Sequence, residues 1–172
     1  TLKGPGGHTS RPVESVDLVW AQSHLILSLE ESIRHHLNEW DRVVLAFGKV
    51  EGGHTCNVLP DEIQMEGTLR FINEDLKEKL HEIIEDTIDS VEKLTDAEIQ
   101  FSIPHSSPGL TNDETFTNLV ISAATQALGK ENVHMMEESS MGGEDFAYYL
   151  EKIPGAYFRI GCNDGKTRDI HT

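Results

Sequence analysis

Ile63-Gln64-Met65-Glu66-Gly67-Thr68-Leu69-Arg70-Phe71 alternates with a period of two, putting Ile63, Met65, Gly67, Leu69 and Phe71 on one face. Successive side chains of a strand point to opposite faces, so the segment predicts a strand buried on one side, with Arg70 leaving on the other. Directly after it the period changes. Leu76, Leu80, Ile83, Ile84, Ile88, Val91 and Leu94 trace one face of an amphipathic helix, for which Asn73 is the predicted N-cap. Ala97, Ile99, Phe101 and Ile103 then alternate with polar residues up to Pro104, predicting a further strand. Upstream, Val16, Val19, Trp20, Ser23, Ile26, Leu27, Leu29, Ile33 and Leu37 recur at three and four in a helix from Ser15 to about Asn38. Arg42-Val43-Val44-Leu45-Ala46-Phe47 follows as a β-branched, apolar strand that Gly52-Gly53 ends.

With Leu2 and Lys3 in an initial strand, the order becomes β-α-β-β-α-β. That is the split arrangement of a ferredoxin-like domain, in which two helices cover one face of a four-stranded antiparallel sheet. The predicted class is α+β, with this domain over residues 1–107. Ser106-Ser107-Pro108-Gly109 is a run of turn formers and marks a crossing to a second unit over 108–172. There Asp113 caps a predicted helix that Gly129 stops, Asn132–Met136 is a short strand, Glu144–Leu150 a short helix and Ala156–Gly161 a strand. An α-β-α-β tail of this size is too small and open for a typical α/β domain, so it is expected to be an incomplete segment needing partner strands.

The 172 residues carry 30 acidic against 14 basic side chains, a formal charge of -16, which repels nucleic acid and anionic lipid. Much of that charge lies between Asn73 and Asp96, as a hydrated outer helix face requires. No stretch approaches the roughly 20 apolar residues of a membrane span, and Thr1-Leu2-Lys3 is no signal peptide. Cys56 and Cys162 are far apart and form no CxxC, which fits a reducing compartment and predicts a cytoplasmic protein. G-x-S-x-G, P-loop and dinucleotide motifs are absent, so serine-hydrolase, nucleotidase and dehydrogenase readings lack their residues.

Three glycine-paired segments hold the candidate chemistry. In Gly6-Gly7-His8 the glycines permit a sharp bend that presents an imidazole, which can act as donor or acceptor near neutral pH. In Gly53-His54-Thr55-Cys56-Asn57-Val58-Leu59-Pro60 the Asn57 amide can donate to a carbonyl oxygen. Arg70, thirteen residues further on, can clamp a carboxylate through two parallel hydrogen bonds or pair with Glu66 on its own strand face. Met141-Gly142-Gly143-Glu144-Asp145 opens a helix, so its backbone N–H groups can line a pocket for an anionic or carbonyl oxygen, or Glu144 and Asp145 can complement the helix dipole. His171 follows a strand and loop, a usual setting for a metal ligand.

Jointly these segments resemble the M20 family of metallopeptidases, in particular its amidohydrolase branch of hippurate hydrolases, N-acyl-amino-acid and N-acetyldiaminopimelate deacetylases and auxin-conjugate hydrolases. The resemblance implies a ferredoxin-like lid, often the dimerisation domain, inserted into an α/β catalytic domain that holds two divalent metal ions, zinc or manganese. Carried over by position, His8 resembles the lid histidine that stabilises the oxyanion across the dimer. Asn57 and Arg70 resemble the lid residues that hold the substrate's carbonyl and carboxylate. Ser140–Ala147, with Gly142, Gly143 and Glu144, is similar to the branch's Ser-Met-Gly-Ser/Gly-Glu-Asp-Phe signature beside the active site, and Ile170-His171-Thr172 to its final Leu-His-Ser, whose histidine binds metal.

The resemblance implies hydrolysis of the amide bond of N-acyl amino acids or related conjugates by metal-activated water, and a homodimer through the lid. In the family a Cys-Gly-His-Asp metal motif, a Glu-Glu pair supplying the general base and an upstream histidine ligand all precede the lid, and none is found at that place in this chain. The chain is therefore expected to be a fragment that binds metal poorly and is inactive alone. The rival from another class is a non-catalytic ferredoxin-like dimerisation or regulatory module. Within the family the alternative is a dipeptidase or aminopeptidase.

Overall fold

A computed structural model of the protein describes residues 1–161 and Gly165. Two compact units are present: Thr1–Ser106 with Ser139–Gly142, and Ser107–Glu138 with the residues from Gly143 onward. Residues 139–142, which the sequence places with the tail, group with the first unit.

The first unit contains β1 (Leu2–Lys3), β2 (Gly7–His8), α1 (Leu18–His36), β3 (Val43–Gly52), β4 (Val58–Leu59), β5 (Glu62–Phe71), α2 (Leu76–Thr95) and β6 (Glu98–Ile99). Its main sheet is antiparallel throughout with strand order β3-β5-β1-β6, the ferredoxin-like order. The strand that decides the fold, β5, pairs with β3 through Val43↔Phe71, Leu45↔Leu69 and Phe47↔Gly67, then shifts register between Phe47 and Lys49. Gly67 is required where it stands, since a Cβ there would lie 2.6 Å from the Ala46 carbonyl oxygen and 2.9 Å from the Phe47 ring.

Two clusters form the core. Leu18, Ala21, Leu25 and Leu29 of α1 pack with Ile84, Ile88 and Val91 of α2 over Leu2, Ile63 and Ala97, while Ile33 joins Leu76, Leu80 and Ile83. The α1 stripe is rotated from the predicted one. Leu18, Ala21, Leu25, Leu29 and Ile33 are buried, whereas Val19, Trp20 and Leu27 are exposed by 52%, 44% and 65%. The helix carries apolar residues at three- and four-residue spacing on two overlapping faces, and only packing selects between them. Asp17 sets the start, its carboxylate accepting from the Trp20 N–H at 3.0 Å.

Asn73 does not cap α2 directly. It begins the turn before it, its side-chain oxygen accepting from the Asp75 N–H and its carbonyl from the Leu76 N–H. Leu94, at 55% exposure, falls off the α2 stripe. Thr95 is buried there instead, its hydroxyl donating to the Val91 carbonyl. The predicted strand over 97–103 reduces to Glu98–Ile99, with Phe101 and Ile103 exposed. In the register Lys3↔Glu98 and Leu2↔Ile99, Thr1 and Gln100 exchange both hydrogen bonds.

The second unit holds α3 (Glu114–Leu128) and α4 (Phe146–Leu150), with a 3-10 turn at Lys130–Asn132. Asp113 caps α3 through the Phe116 N–H, and Gly129, at φ 88°, ends it. The strands predicted at 132–136 and 156–161 do not form among the described residues. A strand needs a neighbour for its N–H and C=O groups. Here the Asn112 side chain supplies that role for Tyr157, accepting from its N–H at 2.8 Å and donating to its carbonyl at 2.9 Å. No residue of α3 is buried.

Candidate functional site

Past Lys3 and Glu62 the β1–β5 pairing continues as a narrow ribbon. The Gly4 N–H donates to the Asp61 carbonyl, and β2 meets β4 with Gly7↔Leu59 and His8↔Val58. Gly6 allows this approach, because a Cβ on it would sit 2.6 Å from the Leu59 carbonyl oxygen and 3.1 Å from the Asp61 nitrogen. At the end of the ribbon the Thr9 N–H and hydroxyl both donate to the Asn57 carbonyl, at 3.1 and 3.3 Å. His8 and Asn57, 49 positions apart in sequence, thus occupy neighbouring positions on paired segments. Asn57 lies one residue outside the ladder, in the turn, so strand alternation does not dictate the face its side chain takes.

The acceptor atoms of both side chains are already engaged. His8 Nδ1 accepts from the Ser10 backbone N–H at 3.2 Å and lies 2.9 Å from the Ser10 hydroxyl. A backbone N–H can only donate, so neutral His8 carries its proton on Nε2, where it is a donor. Asn57 Oδ1 accepts from the Thr55 hydroxyl at 3.0 Å, leaving its Nδ2 hydrogens to donate elsewhere. Both residues are exposed. The site therefore presents two preset hydrogen-bond donors. Ser10 and Thr55, which orient them, escaped the sequence reading; their signal was a hydroxyl residue two positions from each candidate.

A groove of about 700 Å³ adjoins this region, lined by Gly7, Gly53, His54, Thr55, Leu59 and Asp61 among others. Neither His8 nor Asn57 lines it. Gly6→Ala is expected to pry β2 from β4, costing on the order of 1–3 kcal/mol. Hydrogen exchange at the Thr9 amide would register the loss of its bond to Asn57, and unchanged protection there would show that the ribbon tolerates a methyl group.

Arg70 lies at the opposite end of β5, opposite Val44, about 26 Å along the strand from Glu62. It is half-buried, and its Nη1 donates to the Met141 carbonyl at 3.0 Å. Glu66 is engaged elsewhere: Lys49 reaches it and Glu51, each at 3.0 Å, and these hydrogen bonds hold the Lys49 ammonium above its ordinary pKa. Within one chain, then, His8 and Asn57 come together and Arg70 does not join them.

In the glycine loop, the Gly142 N–H donates to the Ser140 hydroxyl at 3.2 Å. The Glu144 carboxylate accepts from the Phe146 N–H at 3.4 Å, tying it to the start of α4. Glu144 also hydrogen-bonds the Tyr157 phenol and raises its pKa from the ordinary value. Among the described residues no hydrogen bond links Gly143 to the other candidates. His171 and Cys162 lie outside the described residues. Among the described residues no three His, Cys, Asp or Glu side chains converge to hold a metal ion, so they do not by themselves fit the metal pair that the sequence resemblance implies.

The model of peptidase family M20/M25/M40 matches residues 15–172. The chain is 33% identical over 162 residues to the N-acetylcysteine deacetylase of Bacillus subtilis, covering 94% of this chain and 42% of that protein. It is 34% identical to the N-acetyldiaminopimelate deacetylase of Anoxybacillus flavithermus, covering 93% and 42%. Among solved structures it resembles the Bacillus subtilis YXEP protein, a dinuclear metal-binding peptidase of the M20 family, with a TM-score of 0.60, 30% identity and coverage of 90% of this chain and 38% of that one. The chain spans about two-fifths of the length of the curated relatives it matches. A family match across most of the chain, relatives a third identical along nearly all of it and a neighbour of the same fold place this chain in peptidase family M20/M25/M40.

Proposed function

We propose that the chain forms the lid and part of the catalytic domain of a metal-dependent amidohydrolase, which cleaves the amide bond of small N-acyl amino acids. The observation that carries this reading is the β2–β4 ribbon, whose end brings together His8 and Asn57 with their acceptor atoms engaged by Ser10 and Thr55. Donors preset in this way suit an oxygen that gains negative charge as a carbonyl is attacked. The two deacetylase relatives, whose substrates are N-acyl amino acids by name, support the substrate class. A divalent metal ion held by the complete enzyme would supply a water of lowered pKa and polarise the carbonyl. Its ligands are assigned to the remainder of the longer protein, with His171 as the contribution of this chain.

In this reading His8 Nε2–H and Asn57 Nδ2 donate to the carbonyl oxygen, and Arg70 binds the amino-acid carboxylate. Because Arg70 stands at the far end of β5 from its own ribbon, one active site draws these groups from two copies of the chain. Gly142, Gly143 and Glu144 are assigned to the wall of the pocket, and the compartment to the cytoplasm. The ten-residue edge strand β3 and the exposed Val19, Trp20 and Leu27 of α1 are surfaces that a second copy would cover.

The test is hydrolysis by the full-length protein, loaded with zinc or manganese, of N-acetyl amino acids against dipeptides. Faster cleavage of dipeptides would move the reading to a peptidase, and no cleavage of either would leave the non-catalytic dimerisation module. Mixed dimers give a sharper result. His8→Ala and Arg70→Ala proteins, each impaired alone and then unfolded and refolded together, are expected to regain roughly a quarter of wild-type activity, since half the dimers are mixed and each has one intact site. No recovery would place both residues in a site built from one copy.

A further inference from the structure

The Ser139–Gly142 strap packs with the sheet unit although both its flanking segments belong to the other. Arg70, 71 positions earlier, meets it through the Nη1 bond to the Met141 carbonyl. We infer that Arg70 is a positioning residue for this strap as well as a carboxylate clamp, so that it fixes the backbone leading into Gly142 and Gly143. The inference deepens the proposed function and rests on it for its kinetic part.

Several features favour this role. Arg70 projects from the long β3–β5 pairing, a firmer base than a loop, and is half-buried. Its alternative partner on the strand, Glu66, is engaged by Lys49 at 3.0 Å, while the guanidinium meets Met141. Within the strap the Ser140 hydroxyl accepts from the Gly142 N–H, closing the loop on itself and defining where the Met141 carbonyl points. A guanidinium has five N–H donors in a fixed fork. Giving one Nη1 hydrogen to a carbonyl leaves another edge able to meet a carboxylate, so the two roles are compatible.

Full-length wild type, Arg70→Ala and Arg70→Lys proteins separate the roles. Lysine can donate to a single carbonyl but cannot reproduce the planar fork. In Arg70→Ala, hydrogen exchange at the Gly142 amide, which donates to Ser140, is expected to accelerate roughly 10- to 100-fold, while the Leu69 amide of β5 keeps its protection. Arg70→Lys should restore most of the strap's protection. Kinetics are read on an N-acyl amino acid and on its carboxamide, which has no carboxylate to clamp. Positioning predicts that Arg70→Ala lowers kcat at least about tenfold for the carboxamide too, with Arg70→Lys recovering that loss but not the KM for the acid.

Unchanged exchange at the strap, or a carboxamide kcat within about twofold of wild type, overturns the inference. If KM for the acid alone then rises, the clamp stands without it. If acid and carboxamide fall equally while exchange accelerates, positioning stands and the clamp fails. Should Arg70→Ala also expose Leu69, Arg70→Lys decides: strap exchange at the alanine level in a protein with an intact sheet supports only the clamp.

Discussion

His8→Ala in the full-length protein is expected to lower kcat for an N-acyl amino acid by about 10²–10³-fold while changing KM far less. The imidazole is exposed at the end of the ribbon, so its removal leaves no cavity and no buried group without a partner. Its Nδ1 is committed to Ser10, and what alanine removes is the Nε2 donor. That donor matters most when the carbonyl oxygen carries charge, so the loss falls on turnover rather than on substrate binding. Asn57→Ala should act in the same direction, and the double variant should lose less than the product of the two, because both donors serve one oxygen. Steady-state kinetics against N-acetyl amino acids checks this. A His8→Ala enzyme within about threefold of wild type would remove the histidine from the reaction and with it the main support for the proposed chemistry.

Leu18→Ala should destabilise the protein by about 3–5 kcal/mol. Leu18 has no exposed surface, sits in the first turn of α1 and belongs to the larger core cluster, so the lost methyl groups leave a void that surrounding helix and sheet close only in part. The urea midpoint should fall with an unchanged slope, since the surface exposed on unfolding stays the same. Leu94→Ala is the control. That residue belongs to the same amphipathic pattern as the α2 core but is 55% exposed, and its truncation should stay within about 0.5 kcal/mol. Equal costs at the two positions would mean that α1 and α2 pack differently from the arrangement described.

The α+β class and the β-α-β-β-α-β order were legible because β5 and α2 carry clean periods of two and of three to four residues, with polar residues filling the opposite faces. Local pattern is enough where one face is buried and the other wet. The α1 stripe was misplaced because Val19, Trp20 and Leu27 compete with Leu18, Ala21 and Leu25 at the same spacing, and only the partner helix decides which row is covered. The tail strands were misread for a related reason. Alternation at 156–161 has no neighbouring strand to pair with among the described residues, so Asn112 takes up the Tyr157 backbone instead.

The candidate residues themselves were visible in sequence, since glycine pairs beside His8, Asn57 and Glu144 are local signals. Which of them meet is a long-range property. Residue types and short spacings determined by themselves that this chain carries an imidazole, a carboxamide and a guanidinium on an α+β scaffold. Only the tertiary structure decided that the first two share the end of one ribbon, that the third stands at the far end of β5 bonded to Met141, and that Glu144 serves Phe146 and Tyr157. Side-chain identity and period are written every few residues along the chain, whereas pairing between segments tens of residues apart is set by loop closure, register and packing together.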